Sequence, residues 1–251
     1  CTPESLIPTD ELSYHSLIEF GNRLMTGVVG IIALLVVILL LTSKLWRVRK
    51  DLWTLAVIVG IGIIAQAIVG GITVWTGLNP FIVGFHYVSS LLLVCVSAAF
   101  LMRMDEPGGP RVLAVPRWYA GLTHFTAAVL AVSIAFGVLT TGAGPHSGDT
   151  ESGRNGFDAT LLEHVHAWPG YTLLALTIVL VAIAWVQQLP TRNWGIALLA
   201  AQFVQVAIGL YQARNGLPVL AVGIHMVLAA LTAAAMTLFI LRMKRPVDAA
   251  A

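Results

Sequence analysis

Seven stretches of the chain are almost unbroken runs of apolar residues, at about 17–42, 52–75, 81–103, 117–140, 160–187, 193–212 and 218–241. Each is long enough to cross the ~30 Å hydrocarbon core of a bilayer as a helix, which takes about 20 residues. None alternates with period two, so the pattern predicts spanning helices and not barrel strands. Loops rich in Pro, Gly or charge separate them: WRVRKD, GLNP, DEPGGPR, the long GAGPHSGDTESGRNGFD, QLPTRN and ARNGLP.

The sequence also resembles itself. The first span opens on Glu19 with Asn22 three residues on, and the fifth on Glu163 with His166 three residues on. That spacing puts each pair on one helical face. The third span follows Gly77-Leu78 and carries Val83-Gly84-Phe85-His86, and the seventh follows Gly216-Leu217 and carries Val222-Gly223-Ile224-His225. Ala65-Gln66 and Ala201-Gln202 are a third match, between the second and sixth spans. The second half then has four spans and the first only three. Symmetry predicts a further helix before Cys1 and an intact all-α membrane protein of eight helices in two four-helix bundles. The expected halves are 1–110 and 111–251.

Composition agrees with the pattern. Of 251 residues, 58% are hydrophobic and 10% charged, against about 25% charged in an ordinary soluble domain. So few charges cannot clothe a water-facing surface. A net charge of +2 with no basic stripe excludes a nucleic-acid binder. The charges nevertheless orient the chain. With the start of the fragment outside, 11 of the 14 Lys and Arg residues fall in inside loops, and only Arg154 and Arg214 fall in outside segments. The positive-inside rule then predicts a multi-pass plasma-membrane protein with a cytoplasmic C-terminus.

That orientation brings the polar residues of the spans together. Ionisable groups inside a membrane are costly and mark functional sites. Glu19, Asn22 and His86, and Glu163, His166 and His225, all fall near outer helix ends, as one cluster per half. Two imidazoles at repeat-equivalent positions on different helices suit axial ligation of haem iron; the competing reading is a pair of core or capping histidines. His164 competes with His166, which holds the position equivalent to Asn22. In the first half an amide replaces one imidazole, leaving His86 as the one strong ligand. Glu19 lies a turn from Asn22, where a carboxylate serves as base or charge stabiliser. Arg23 suits a haem propionate, or else forms an interfacial ion pair with Glu19. His124 and Cys95 read as structural. The outer loop at 141–159 reads as a cap over a site or as a plain connector.

The motifs IEFGNRL at 18–24, VGGITVWTGLNPFIVGFH at 69–86, TGAGPHSGD at 141–149, EHVHA at 163–167 and GIH at 223–225 together resemble the bacterial haem A synthases, of the actinobacterial type. The resemblance runs over essentially the whole chain. It implies eight helices in two halves and an oxidoreductase that converts a ring methyl of haem O to a formyl group by successive hydroxylations, giving haem A for cytochrome oxidase. It implies haem b between His166 and His225, a substrate haem site around His86, Asn22 and Arg23, and a catalytic role for Glu19. It also implies that Cys1 is the second cysteine of a first-loop pair whose partner lies upstream. The implied partners are haem O and haem A, membrane lipid, a haem O-producing synthase and oxidase assembly factors. Many members carry His where this chain has Asn22. A di-haem b electron-transfer protein is the alternative, and it expects two matched histidine pairs. A repeat-built transporter would instead place its polar groups at mid-membrane.

Overall fold

The computed structural model describes residues 14–145 and 153–247, with side chains from Phe20 onward. Cys1, the 146–152 part of the outer loop and the Glu19 side chain lie outside what is described. The long helices are α1 (Tyr14–Thr42), α3 (Lys50–Trp75), α4 (Pro80–Met104), α5 (Arg117–Ala143), α6 (Ala159–Val186), α7 (Arg192–Arg214) and α8 (Val219–Leu241), with a single-turn α2 (Leu45–Val48) after the first. All seven long helices are apolar enough to cross a membrane. The shortest, of 23 residues, are about 34 Å long. The chain is an all-α multi-pass membrane protein.

Local chemistry sets where several helices begin. The Asn79 side chain accepts from Phe81 N at 3.0 Å, ahead of Pro80 in the first turn of α4. The Asp158 carboxylate accepts from Leu161 N at 2.9 Å at the start of α6. Both devices satisfy N–H groups that have no partner inside the helix.

The repeat is visible in the packing. α3 packs between α1 and α4, and α7 between α6 and α8. α5, packed on α6, gives the second half a fourth wall. The turns before α4 and α8 have the same form. Gly77 and Leu78 have φ of 62° and 57°, and Gly216 and Leu217 have 69° and 56°. Leu78 N bonds Thr73 O at 2.8 Å and Leu217 N bonds Gln212 O at 2.9 Å. In this left-handed region Gly is at ease, whereas each Leu pays a steric cost. One offset of 139 residues relates Gly77 to Gly216 and His86 to His225. By that offset the partner of Gln66 is Gln205, which corrects the Ala65-Gln66 to Ala201-Gln202 match. Gln202 has a different task, donating to Thr177 Oγ1 at 3.0 Å.

The halves meet where α4 crosses α8. There the Tyr87 hydroxyl donates to the Met226 carbonyl at 2.8 Å. Residues 87 and 226 are themselves related by the 139-residue offset, as expected of residues beside a pseudo-two-fold axis.

The main core lies in the second half, towards the basic end, around the fully buried Tyr119, Leu180, Leu198 and Phe239. The Tyr119 hydroxyl lies 3.2 Å from Leu180 O and 3.0 Å from Thr191 Oγ1. Buried Thr123 and Thr177 donate to carbonyls four residues back in their own helices, at 2.9 and 2.8 Å. No water is available there, so the hydroxyls satisfy themselves within the helix.

The basic end carries structure that the hydropathy pattern does not predict. β1 (Arg111–Leu113) pairs antiparallel with β2 (Lys244–Pro246). The clip ties the loop between α4 and α5 to the segment after α8. Glu106, in the same loop, forms ion pairs with Arg111, with Arg242 at 3.2 Å and with Arg103 at 3.6 Å. Arg49 grips Asp51 through two 3.0 Å hydrogen bonds and donates to Arg103 O.

Candidate functional site

His86 and His225 each sit six residues into their helices and His166 seven residues into its own, all near the end opposite the basic loops. At 1.5 Å per residue this is a common depth of about 9–11 Å along the axis.

His166 and His225 converge. Their ring centroids are 6.2 Å apart and their planes are 82° apart. Each ring lies in a cradle made by a glycine of a neighbouring helix. A β-carbon at Gly137 of α5 would stand 2.9 Å from His166 Cε1, and one at Gly209 of α7 would stand 3.1 Å from His225 Cε1. His86 lies over Gly70 of α3 in the same way, at 3.4 Å. Gly70 and Gly209 are repeat partners, so the cradle recurs in both halves.

For His166 the carbonyl one turn before the glycine completes the cradle. His166 Nδ1 lies 2.9 Å from Ser133 O, four residues before Gly137. A carbonyl accepts only, so Nδ1 carries the proton and Nε2 keeps its lone pair for a ligand. His225 Nδ1 is buried without a hydrogen-bond partner, and Gln205, whose backbone the ring faces, stands four residues before Gly209. His86 Nδ1 is likewise buried and unpartnered, and Gln66 stands four residues before Gly70. The Gln66 amide donates to Ser89 Oγ at 2.6 Å, which joins α3 to α4 beneath the ring.

The other candidates lie apart from this pair. His164 is exposed, with Nδ1 2.8 Å from Thr160 O of its own helix. Glu163 is exposed one turn before His166. Asn22 and Arg23 are exposed on α1, two and three residues after Phe20. α1 packs against α3, with its buried contacts at the basic end, around Leu40, Leu52 and Ala56. His124, expected to be structural, is exposed on α5 and takes no part in the core. Cys95 is a half-buried free thiol.

The described part of the loop between α5 and α6 folds back over the helix ends. Asn155 donates to Leu139 O at 2.7 Å, its backbone N–H bonds Gly142 O at 3.1 Å, and Phe157 meets Phe81 edge to face at 6.5 Å. Sequence reasoning placed the histidines but not their cradles. Glycine in a membrane helix reads first as a packing residue, and nothing local says that a ring from another helix fills the space.

A family model described as cytochrome oxidase assembly protein (COX15-CtaA) matches residues 3–145. The heme A synthase of Lysinibacillus sphaericus (strain C3-41) is 36% identical over 103 residues, or 40% of this chain and 31% of that protein. The chain thus matches less than a third of the length of that relative. No solved structure matches it.

Proposed function

The chain belongs to the COX15-CtaA family of cytochrome oxidase assembly proteins, and from that membership we propose that it is a haem A synthase, an enzyme that oxidises the ring methyl of haem O through an alcohol to the formyl group of haem A. The observation that carries the reading is the convergence of His166 and His225. His166 and His225, on two different helices with ring centroids 6.2 Å apart, would hold haem b, with imidazole nitrogens as ligands to its iron.

Haem b, when bound, supplies one-electron redox chemistry. The chain's own residues hold and orient it. Ser133 O fixes the His166 tautomer, in the manner of outer-shell partners that orient metal-ligating histidines. Gly137 and Gly209 leave room for the rings. The orphaned Nδ1 of His225 gains a partner at Gln205 O by a small ring movement.

Substrate haem O is assigned to the first half. His86, in the matching cradle over Gly70, is its ligand, and Asn22 stands where the second half has His166. The substrate iron thus has one strong protein ligand, which suits a haem that enters and leaves. Glu19 is the carboxylate set to accept a proton or stabilise charge at the reacting carbon, and Arg23 pairs with a propionate. The halves at 1–110 and 111–251 divide substrate from redox cofactor. The proposed setting is a bacterial plasma membrane, with the histidine end outside and the C-terminus in the cytoplasm. A haem O-producing synthase supplies the substrate by pathway logic.

Pigment extraction with absorption spectroscopy tests the reading. His166→Ala and His225→Ala should each abolish the low-spin haem b signal. Glu19→Ala should keep that signal while haem O accumulates in place of haem A. Haem b retained in both histidine variants, or two stoichiometric haems b in the parent protein, would overturn it.

A further inference from the structure

The basic end holds a second concave site, remote from the histidines. A pocket of about 400 Å³ opens between the start of α7, the end of α8 and the β1–β2 clip. Four cationic residues line it, Arg192, Arg242, Lys244 and Arg245, against one acidic residue, Glu106. Glu106 pairs with Arg242 of the lining and with Arg103 and Arg111, so Arg192, Lys244 and Arg245 give the lining its excess positive charge. Gln188 adds an amide, which Arg192 holds through a hydrogen bond.

We propose that this pocket binds the phosphate group of an anionic molecule. Three features separate it from the scattered cations that orient any membrane protein. Its charges come from two segments far apart in sequence that the clip and the helix packing bring together, so the concavity exists only in the folded chain. Lys244 and Arg245 are exposed on β2, held by backbone pairing with Leu113 and Val112, and so are ordered before any ligand arrives. The α7 N-terminus at its edge has no side-chain cap, because the Thr191 hydroxyl is turned towards Tyr119. The positive end of the α7 dipole adds to the potential.

The site lies where helices end and loops begin, at the depth of lipid headgroups. Basic pockets between helix ends there suit a phospholipid phosphate, and the same chemistry accepts free phosphate. The guanidinium forks of Arg192 and Arg245 are of the kind that makes planar, two-point contacts to phosphate oxygens.

The test uses the full chain, stripped of lipid in neutral detergent and examined by native mass spectrometry. Dioleoyl phosphatidylglycerol, dioleoyl phosphatidylcholine and inorganic phosphate are titrated in separate arms. Phosphatidylglycerol should be retained at one molecule per chain and phosphatidylcholine should not. The double variant K244Q/R245Q, changed only on the exposed strand, should weaken retention at least tenfold. Glu106→Gln, which removes the acid, should strengthen it. Saturable binding of inorganic phosphate that the double variant abolishes, without selective lipid retention, would support the site and identify a soluble ligand as its source. Equal retention of the two lipids together with no saturable phosphate binding, no binding in any arm, or binding unchanged in K244Q/R245Q with the helical circular dichroism intact would overturn the proposal. Pigment content in the double variant should equal that of the parent, which keeps this test separate from the haem assignment.

Discussion

Single residues decide whether the histidines are usable. His166 needs three things: a partner for Nδ1, supplied by Ser133 O, a bare α-carbon at Gly137, and a second ring 6.2 Å away. Gly137→Ala sets a methyl 2.9 Å from Cε1 of the ring. Overpacking of this kind costs about 1–3 kcal/mol, and here the movable party is the proposed ligand. The variant should keep its helical circular dichroism and lose most of its haem b, as pyridine haemochrome absorbance would show. Gly70→Ala is the control, because at 3.4 Å the methyl makes ordinary contact and His86 need not move. Asn22 permits the opposite change. Asn22→His gives the first half the imidazole that the second half has. If α1 presents residue 22 as α6 presents His166, the variant should retain substrate haem through purification and gain a second low-spin signal. An unchanged spectrum would place residue 22 away from the iron.

At the level of elements, the helices follow directly from the apolar pattern. The predicted stretches end within about three residues of the observed ones, because some 20 residues of hydrocarbon-compatible side chain leave the backbone no other way to satisfy its hydrogen bonds. The repeat also extends beyond the spans, into the Gly77-Leu78 and Gly216-Leu217 turns with matching left-handed angles. The register inside α3 and α7 was legible only in part. An Ala-Gln pair occurs at more than one place by chance, and the packing settles the pairing as Gln66 with Gln205. The β1–β2 clip could not be read. Three-residue strands carry no periodic signal, and Arg111 pairs with Pro246 across most of the second half of the chain. Glu106 gathers three arginines beside that clip while its side chain is only 11% exposed. Glu106→Ala removes these charge-assisted contacts, each worth about 1.5–3 kcal/mol at most. It should lower the melting temperature in detergent by several degrees without altering pigment content.

For the whole molecule, the question is how two similar halves become one protein. They meet at α4 and α8, where the Tyr87 hydroxyl donates to Met226 O. Tyr87 follows His86 and Met226 follows His225, so one hydrogen bond links the neighbours of two proposed haem ligands. Tyr87→Phe should cost about 1 kcal/mol or slightly more, since a carbonyl is left with one fewer donor. Thermal unfolding followed at the haem band would register the loss. Orientation also belongs to the whole molecule. With eleven basic residues on one face, a fluorescent reporter fused after Ala251 should be active in the cytoplasm, whereas a periplasm-dependent enzyme fused there should be silent.

The sequence alone determined that this chain is a bundle of membrane helices, where each begins and ends, and which histidines share a depth. Those properties follow from hydropathy and from spacing along one strand of chain, and both survive without knowledge of neighbours. The tertiary structure decided which histidines face one another. It set His166 across from His225 and left His164 bonded to its own helix, where the sequence offered only the repeat register in favour of His166. It also turned three glycines from packing residues into cradles, and gathered cations from distant loops into one pocket. Each of these depends on how far one helix stands from another and at what rotation, which is fixed by the fit of side chains across an interface.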